Sequence, residues 1–184
     1  MVVLVGKTAS GKTAIVNEMM KRGFKKIVTT TTRPKRKREI EGVDYNFISE
    51  DEFIEKAKHH YFLEFTSYKT VDGVWYYGTP LEVIEKANSK SVVILNPHGC
   101  KEIVSLFSDD NVTIFYIYAN NETIKNRLLK RGDKKEEAER RVKCDNNDFK
   151  GIELLADRIV YNNENRKIDD VVDEIIMFLN KKKK

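Results

Sequence analysis

Residues 6–13 read GKTASGKT, directly behind the apolar run VVLV and directly ahead of AIVNEMM. Gly6, Gly11, Lys12 and Thr13 fit the pattern G-x-x-x-x-G-K-[ST], and the flanking runs supply the strand and helix that give this pattern chemical meaning. Glycines there let backbone N–H groups turn inward as a nest at the positive end of a helix, which holds phosphate oxygens. Gly6, Ala9, Ser10, Gly11, Lys12, Thr13 and Ala14 are therefore expected to cradle a nucleotide's phosphates. Lys12 reaches the β and γ phosphates, and the Thr13 hydroxyl is placed to ligate Mg²⁺. Such a loop specifies a nucleotide but no reaction.

The elements that must position this loop alternate between strand-like and helix-like runs, the pattern of an α/β domain with a parallel sheet covered by helices on both faces. Strands are expected at 2–5, 25–29, 91–95 and 112–119, with a weaker edge strand at 157–162. Ile15, Val16, Met19 and Met20 recur at helical spacing behind the loop, and Gly23 ends that helix. Ser49 with Glu52 reads as a capping box, and Thr79-Pro80-Glu82 reads as a cap, a first-turn proline and a first-turn acid. Residues 31–46 read as an irregular basic loop. The stretch 61–79, centred on Asp72-Gly73, reads as a small antiparallel sheet packed by Tyr61, Phe62, Phe65, Trp75 and Tyr76. Ile168, Val171, Val172, Ile175, Ile176 and Leu179 form one stripe of a last helix.

At 184 residues the chain reads as a single domain with a substantial core. The terminal lysines 181–184 supply four of the five surplus positive charges, so the remainder is nearly neutral and nucleic acid is not an expected partner. That tail reads as solvated and disordered. No run approaches the roughly 20 apolar residues of a membrane span, which excludes that class and points to the cytoplasm. Cys100 and Cys144 have no metal-ligand spacing and read as reduced thiols. Oligomeric state leaves no signature in the sequence.

Away from the loop, TTTTRPKRKREIEGVDYNF at 29–47, YFLEF at 61–65 and WYYGTP at 75–80 resemble the acceptor-binding segments of guanylate kinases, and with the loop the likeness covers most of the chain. The resemblance implies a three-layer P-loop NTPase-type fold and transfer of the ATP γ-phosphate, with Mg²⁺, to GMP or dGMP. It implies a core at 1–30, 81–125 and 151–180, an acceptor-binding region at 31–80 and a helical lid at 126–150. Arg33, Arg36, Tyr45 and Tyr77 would hold the acceptor phosphate, as suits guanidinium forks and phenolic donors. Glu64, Thr79, Thr29 and Asn96 would read the base, with the Glu64 carboxylate accepting from guanine N1–H and its exocyclic amine. Arg127, Arg131 and Arg141, with Arg140, would close over the donor phosphates, the first two sharing a helix face. None of His59, His60 or His98 is expected to be catalytic, because an acceptor phosphate is already anionic.

Ile94 and Asn96 stand where the family usually has acids, which bears on Mg²⁺ and on base selectivity. The segment 67–78 is longer than is usual in the family, and the lid about one residue shorter. Two other readings remain open from the sequence: a kinase-like module that binds a phosphorylated protein without catalysis, and a P-loop tRNA prenyltransferase, whose loop GKTASGKT resembles equally well.

Overall fold

The computed structural model describes residues 1–70, 72–107 and 111–182. Its main sheet has five strands in the order β2 (Lys25–Lys26), β7 (Ser91–Leu95), β1 (Val2–Val5), β8 (Thr113–Tyr118) and β9 (Arg158–Tyr161), every pair parallel. In β1, Val2 and Leu4 face one layer of helices while Val3 and Val5 face the other, which is why the run is apolar without alternation. The first layer comprises α1 (Lys12–Lys21) and α7 (Ile168–Lys182), whose Ile15, Val16, Met19, Val171, Val172 and Ile175 pack on Leu4 and Phe115. The second includes α3 (Leu81–Glu85) and α4 (Pro97–Leu106), which bring Ile84, Cys100 and Ile103 against Val93 and Leu95. Truncating a fully buried member such as Leu4 to alanine costs about 2–5 kcal/mol.

A second sheet runs β4 (Asn46–Phe47), β3 (Thr30–Thr31), β6 (Gly73–Pro80), β5 (Phe62–Thr70). It is antiparallel at β5–β6 and β3–β6, but β3 and β4 are parallel, so the expected antiparallel sheet is mixed. The Asp72-Gly73 hairpin is present, with Gly73 at φ 120°. Ahead of it lies α2 (Glu50–Lys58), where the Ser49 hydroxyl accepts the Glu52 N–H at 3.2 Å, as the capping pattern predicts. Opposite stand α5 (Asn121–Lys130) and α6 (Lys135–Asp148), joined by a small apolar cluster of Ile124, Leu128 and Ala138.

Several expectations are corrected. The run 25–29 is not one strand: after Ile27 donates to the Val92 carbonyl the chain crosses to the second sheet. Thr79 caps no helix, because its hydroxyl donates to Glu64 and Pro80 takes the cap position. Of the four residues at helical spacing in α1, Ile15, Val16 and Met19 are buried and Met20 is exposed. Of the five aromatics assigned to packing, Phe62 is buried and stacks on Phe53 at 4.4 Å, whereas Tyr61 and Phe65 are exposed and Trp75 and Tyr76 half-buried. The tail does not begin at residue 181: α7 runs through Lys182, whose ammonium donates to Asp157 at 2.8 Å. Lys183 and Lys184 lie outside the described residues.

Candidate active site

Between the two sheets and α6 lies a cleft of about 580 Å³. At one end is the loop that joins β1 to α1. Gly6 is required by crowding, since a Cβ there would sit 2.5 Å from the Ile117 carbonyl oxygen. Ala9 and Gly11 take left-handed φ values of 57° and 101°, which turn the loop back on itself ahead of α1. Lys12 folds under the loop, its ammonium donating to the carbonyls of Gly6 and Lys7. Burial pushes this lysine down to about 8, with Asp145 pulling the other way. The Thr8 N–H donates to the Asp145 carboxylate of α6 at 2.6 Å, so a carboxylate already meets one of the loop's N–H groups.

Thr13 lines the cleft at the start of α1. Its hydroxyl and the neighbouring Lys12 fit an Mg²⁺-bound polyphosphate, but Ile94, also in the wall, offers the ion no oxygen. No group of three or more His, Cys, Asp or Glu side chains is arranged to hold a metal among the described residues. The ion would therefore arrive with the nucleotide and take most of its ligands from phosphate and water.

The other end is built from side chains. Glu64 on β5 is 6% exposed; its Oε1 accepts from the Thr79 hydroxyl at 2.7 Å and its Oε2 from the Asn96 amide at 3.2 Å. Burial raises its carboxyl above the usual range, against the pull of those two donors. Asn96 is held from the other side, because its Oδ1 caps α4 by accepting the Gly99 N–H at 2.8 Å. Gly99 leaves room for Glu64: a Cβ there would lie 3.0 Å from the Glu64 carboxyl carbon. Thr29 lines the same end.

Between the two ends come the basic groups. Arg33 is 4% exposed, donates to Glu39 at 2.6 Å and to the Pro34 carbonyl at 2.7 Å, and lies 5.6 Å from the Tyr45 ring. Arg36 stands 3.7 Å from the same Glu39. Tyr45 and Tyr77 meet edge to face, and burial pushes the Tyr45 hydroxyl up to about 12, so it stays a donor. Arg140 and Arg141 enter from α6, both bound by Glu137, whose carboxyl their hydrogen bonds hold down at about 2. Arg131, just past α5, also lines the cleft and is paired with Asp133 at 2.7 Å.

The fold thus brings Gly6, Ala9, Lys12 and Thr13 into one wall with Thr29, Arg33, Arg36 and Tyr45. Glu64, Tyr77, Thr79, Asn96, Arg131 and Arg141 line the cleft as well. Ser10, Gly11, Ala14 and Arg127 do not line it. Arg127 shares no task with Arg131: its guanidinium donates to the Ala9 carbonyl at 3.2 Å, while Asp133 draws Arg131 the other way. Sequence reasoning missed Glu39, Glu137, Asp145 and Asn162, and the hairpin face that carries Tyr68 opposite Trp75. Glu39 sits six residues after Arg33 in a stretch without periodicity, and Asp145 and Asn162 reach the loop only through tertiary contact, whereas Glu137 stands three and four residues before Arg140 and Arg141 on α6, a helical spacing the sequence does show. The longer-than-usual segment 67–78 was the one available signal for the hairpin face.

The guanylate kinase family model matches residues 1–182. Similar proteins include the guanylate kinase of Thermotoga maritima, 32% identical over 95% of this chain and 83% of its own length. That of Fusobacterium nucleatum is 32% identical over 96% and 94%, and that of Clostridium tetani 35% over 75% and 66%. Among solved structures, the guanylate kinase from Anaplasma phagocytophilum superposes with a TM-score of 0.71 at 23% identity, over 98% of this chain and 84% of that one, which supports the fold. A match over nearly the whole chain, to a cleft with a phosphate loop at one end and a buried carboxylate at the other, is sufficient: the chain belongs to the guanylate kinase family, a family of nucleoside monophosphate kinases.

Proposed function

We propose that the protein transfers the γ-phosphate of ATP to GMP or dGMP, giving ADP and GDP or dGDP. The observation that carries this is the Glu64–Thr79–Asn96 cluster, a buried carboxylate at the opposite end of the cleft from the phosphate loop. A carboxylate accepts hydrogen bonds and gives none, so it matches the adjacent N1–H and amine of guanine, a pair that adenine lacks. Asn96, tied at its oxygen to Gly99, has only its N–H₂ group to offer, one hydrogen of which goes to Glu64.

The chemistry in this reading is positioning and charge neutralisation, with no general base. Arg33, Arg36, Tyr45 and Tyr77 fix the acceptor phosphate by donated hydrogen bonds, and the loop N–H groups fix the donor chain. Lys12 leaves its loop carbonyls to meet the β and γ oxygens, and Asp145 gives up the Thr8 N–H to them. When bound, Mg²⁺ would supply charge neutralisation for the donor phosphates, and the Thr13 hydroxyl would help to hold it. Arg131, Arg140 and Arg141 close from a lid at 126–150 over the acceptor-binding region 31–80, and closure excludes the water that would hydrolyse ATP. The three histidines lie outside the cleft wall. A cytoplasmic setting agrees with this reading; no helix among the described residues is long and apolar enough to cross a membrane.

The test is ADP release from ATP and Mg²⁺ with GMP, dGMP, AMP, CMP, UMP and dTMP in turn. Release is expected only with GMP or dGMP. Turnover with a different base would move the specificity away from Glu64, and none with any acceptor would leave a binding module.

A further inference from the structure

Behind the phosphate loop, two side chains from distant elements bind its carbonyls, and neither lines the cleft. Asn162 follows β9 directly; its backbone N–H donates to the Tyr118 carbonyl at 2.7 Å and its side chain is wholly buried. Its Nδ2 donates to the Ser10 carbonyl at 2.8 Å. Its Oδ1 is buried with no partner among the described residues, a poor choice if packing were all that mattered. The amide also occupies the space that Gly11 leaves, since a Cβ on Gly11 would lie 2.2 Å from Asn162 Nδ2. Alongside it, Arg127 Nη1 donates to the Ala9 carbonyl at 3.2 Å.

In a trans peptide the carbonyl of one residue and the N–H of the next point in opposite directions within one rigid plane. Holding the Ser10 carbonyl at the rear therefore aims the Gly11 N–H forward, while holding the Ala9 carbonyl fixes the peptide whose Ser10 N–H closes the loop on the Lys7 carbonyl at 3.1 Å. We infer that Asn162, assisted by Arg127, is a positioning residue that clamps the loop from behind and so orients the Gly11 N–H to receive a donor phosphate. This rests on the proposed ATP-binding role of the loop, though not on which acceptor is used. It also gives Arg127 a task other than crossing the cleft to the transferred phosphate.

Asn162→Asp keeps the shape but sets an oxygen against the Ser10 carbonyl, which turns that peptide. Titration with a fluorescent ATP analogue, without acceptor, should show affinity weakened about tenfold or more, with KM for the acceptor unchanged and the melting temperature near that of the parent. Gly11→Ala should be less harmful to ATP binding in an Asn162→Ala background than in the parent, because the amide it strikes is gone; the strain of its φ remains in both. Folded Asn162→Asp that binds the analogue within twofold of the parent would overturn the clamp. So would Asn162→Asp and Asn162→Ala both failing to fold, which would make the residue structural. A parent that binds ATP yet phosphorylates no acceptor would defeat the proposed reaction and leave the clamp to be judged by the titration.

Discussion

The two ends of the cleft hold charge in different ways. At the donor end a single octapeptide makes the site from its own backbone, and the charged groups around it, Lys12 and Asp145, are parked on loop atoms that the substrate would use. At the acceptor end almost nothing is backbone: Glu64, Thr79 and Asn96 come from β5, β6 and the cap of α4, and Arg33 is already paired with Glu39. In the proposed reaction the loop end is thus locally encoded and rearranges to bind the donor, whereas the far end is assembled by the fold and is preorganised for the acceptor.

Breaking the donor end should have the larger effect. Lys12→Ala is expected to lower turnover by about 10³-fold or more with the fold intact, read by steady-state kinetics and a melt. Arg33→Ala should instead cost about 10²-fold in kcat/KM for the acceptor while sparing ATP binding. It should also destabilise by about 1 kcal/mol, since Glu39 loses its Arg33 hydrogen bond but keeps the Arg36 N–H and guanidinium. Glu64→Gln should narrow the preference for guanine over adenine by about tenfold, measured as the ratio of kcat/KM for GMP and AMP, because an amide also donates.

A finer test uses pH. Folded Lys12 titrates near 8 and an unfolded lysine near 10.5, so between those values the unfolded chain binds more protons and this residue makes stability rise with pH. In the proposed reaction the donor phosphates meet the ammonium, so ATP affinity should fall over the same window. Melts and ATP titrations at pH about 7 and about 10 should therefore move in opposite directions. The smallest expected effect is at the parked carboxylate: Asp145→Asn removes a charge that competes for Lys12 and the Thr8 N–H, and should tighten ATP binding a few-fold, read by calorimetry.

The same contrast explains what was legible in the sequence. GKTASGKT announces itself because the chemistry needs contiguous backbone, and the parallel sheet announces itself because β1, β7 and β8 are buried on both faces. Arg33, Glu64 and Tyr77 were expected from the family's spacing and not from any local physical rule, and the fold brings all three to the cleft. Thr79 was misread as a helix cap because a threonine before proline fits that role equally well, and only the position of Glu64 across β5 and β6 decides otherwise. Asn162 acts by holding a loop 152 residues away, so its role exists only once the chain has folded, whereas Glu137 pairs with Arg140 and Arg141 at helical spacing within α6.

The central claim is tested most directly by following the label from ATP marked at its γ-phosphorus, incubated with Mg²⁺, GMP and the protein. The account predicts that the label appears in the β-phosphate of GDP, one for each ADP formed. Label released as free phosphate, or left in ATP while both nucleotides bind, would contradict it.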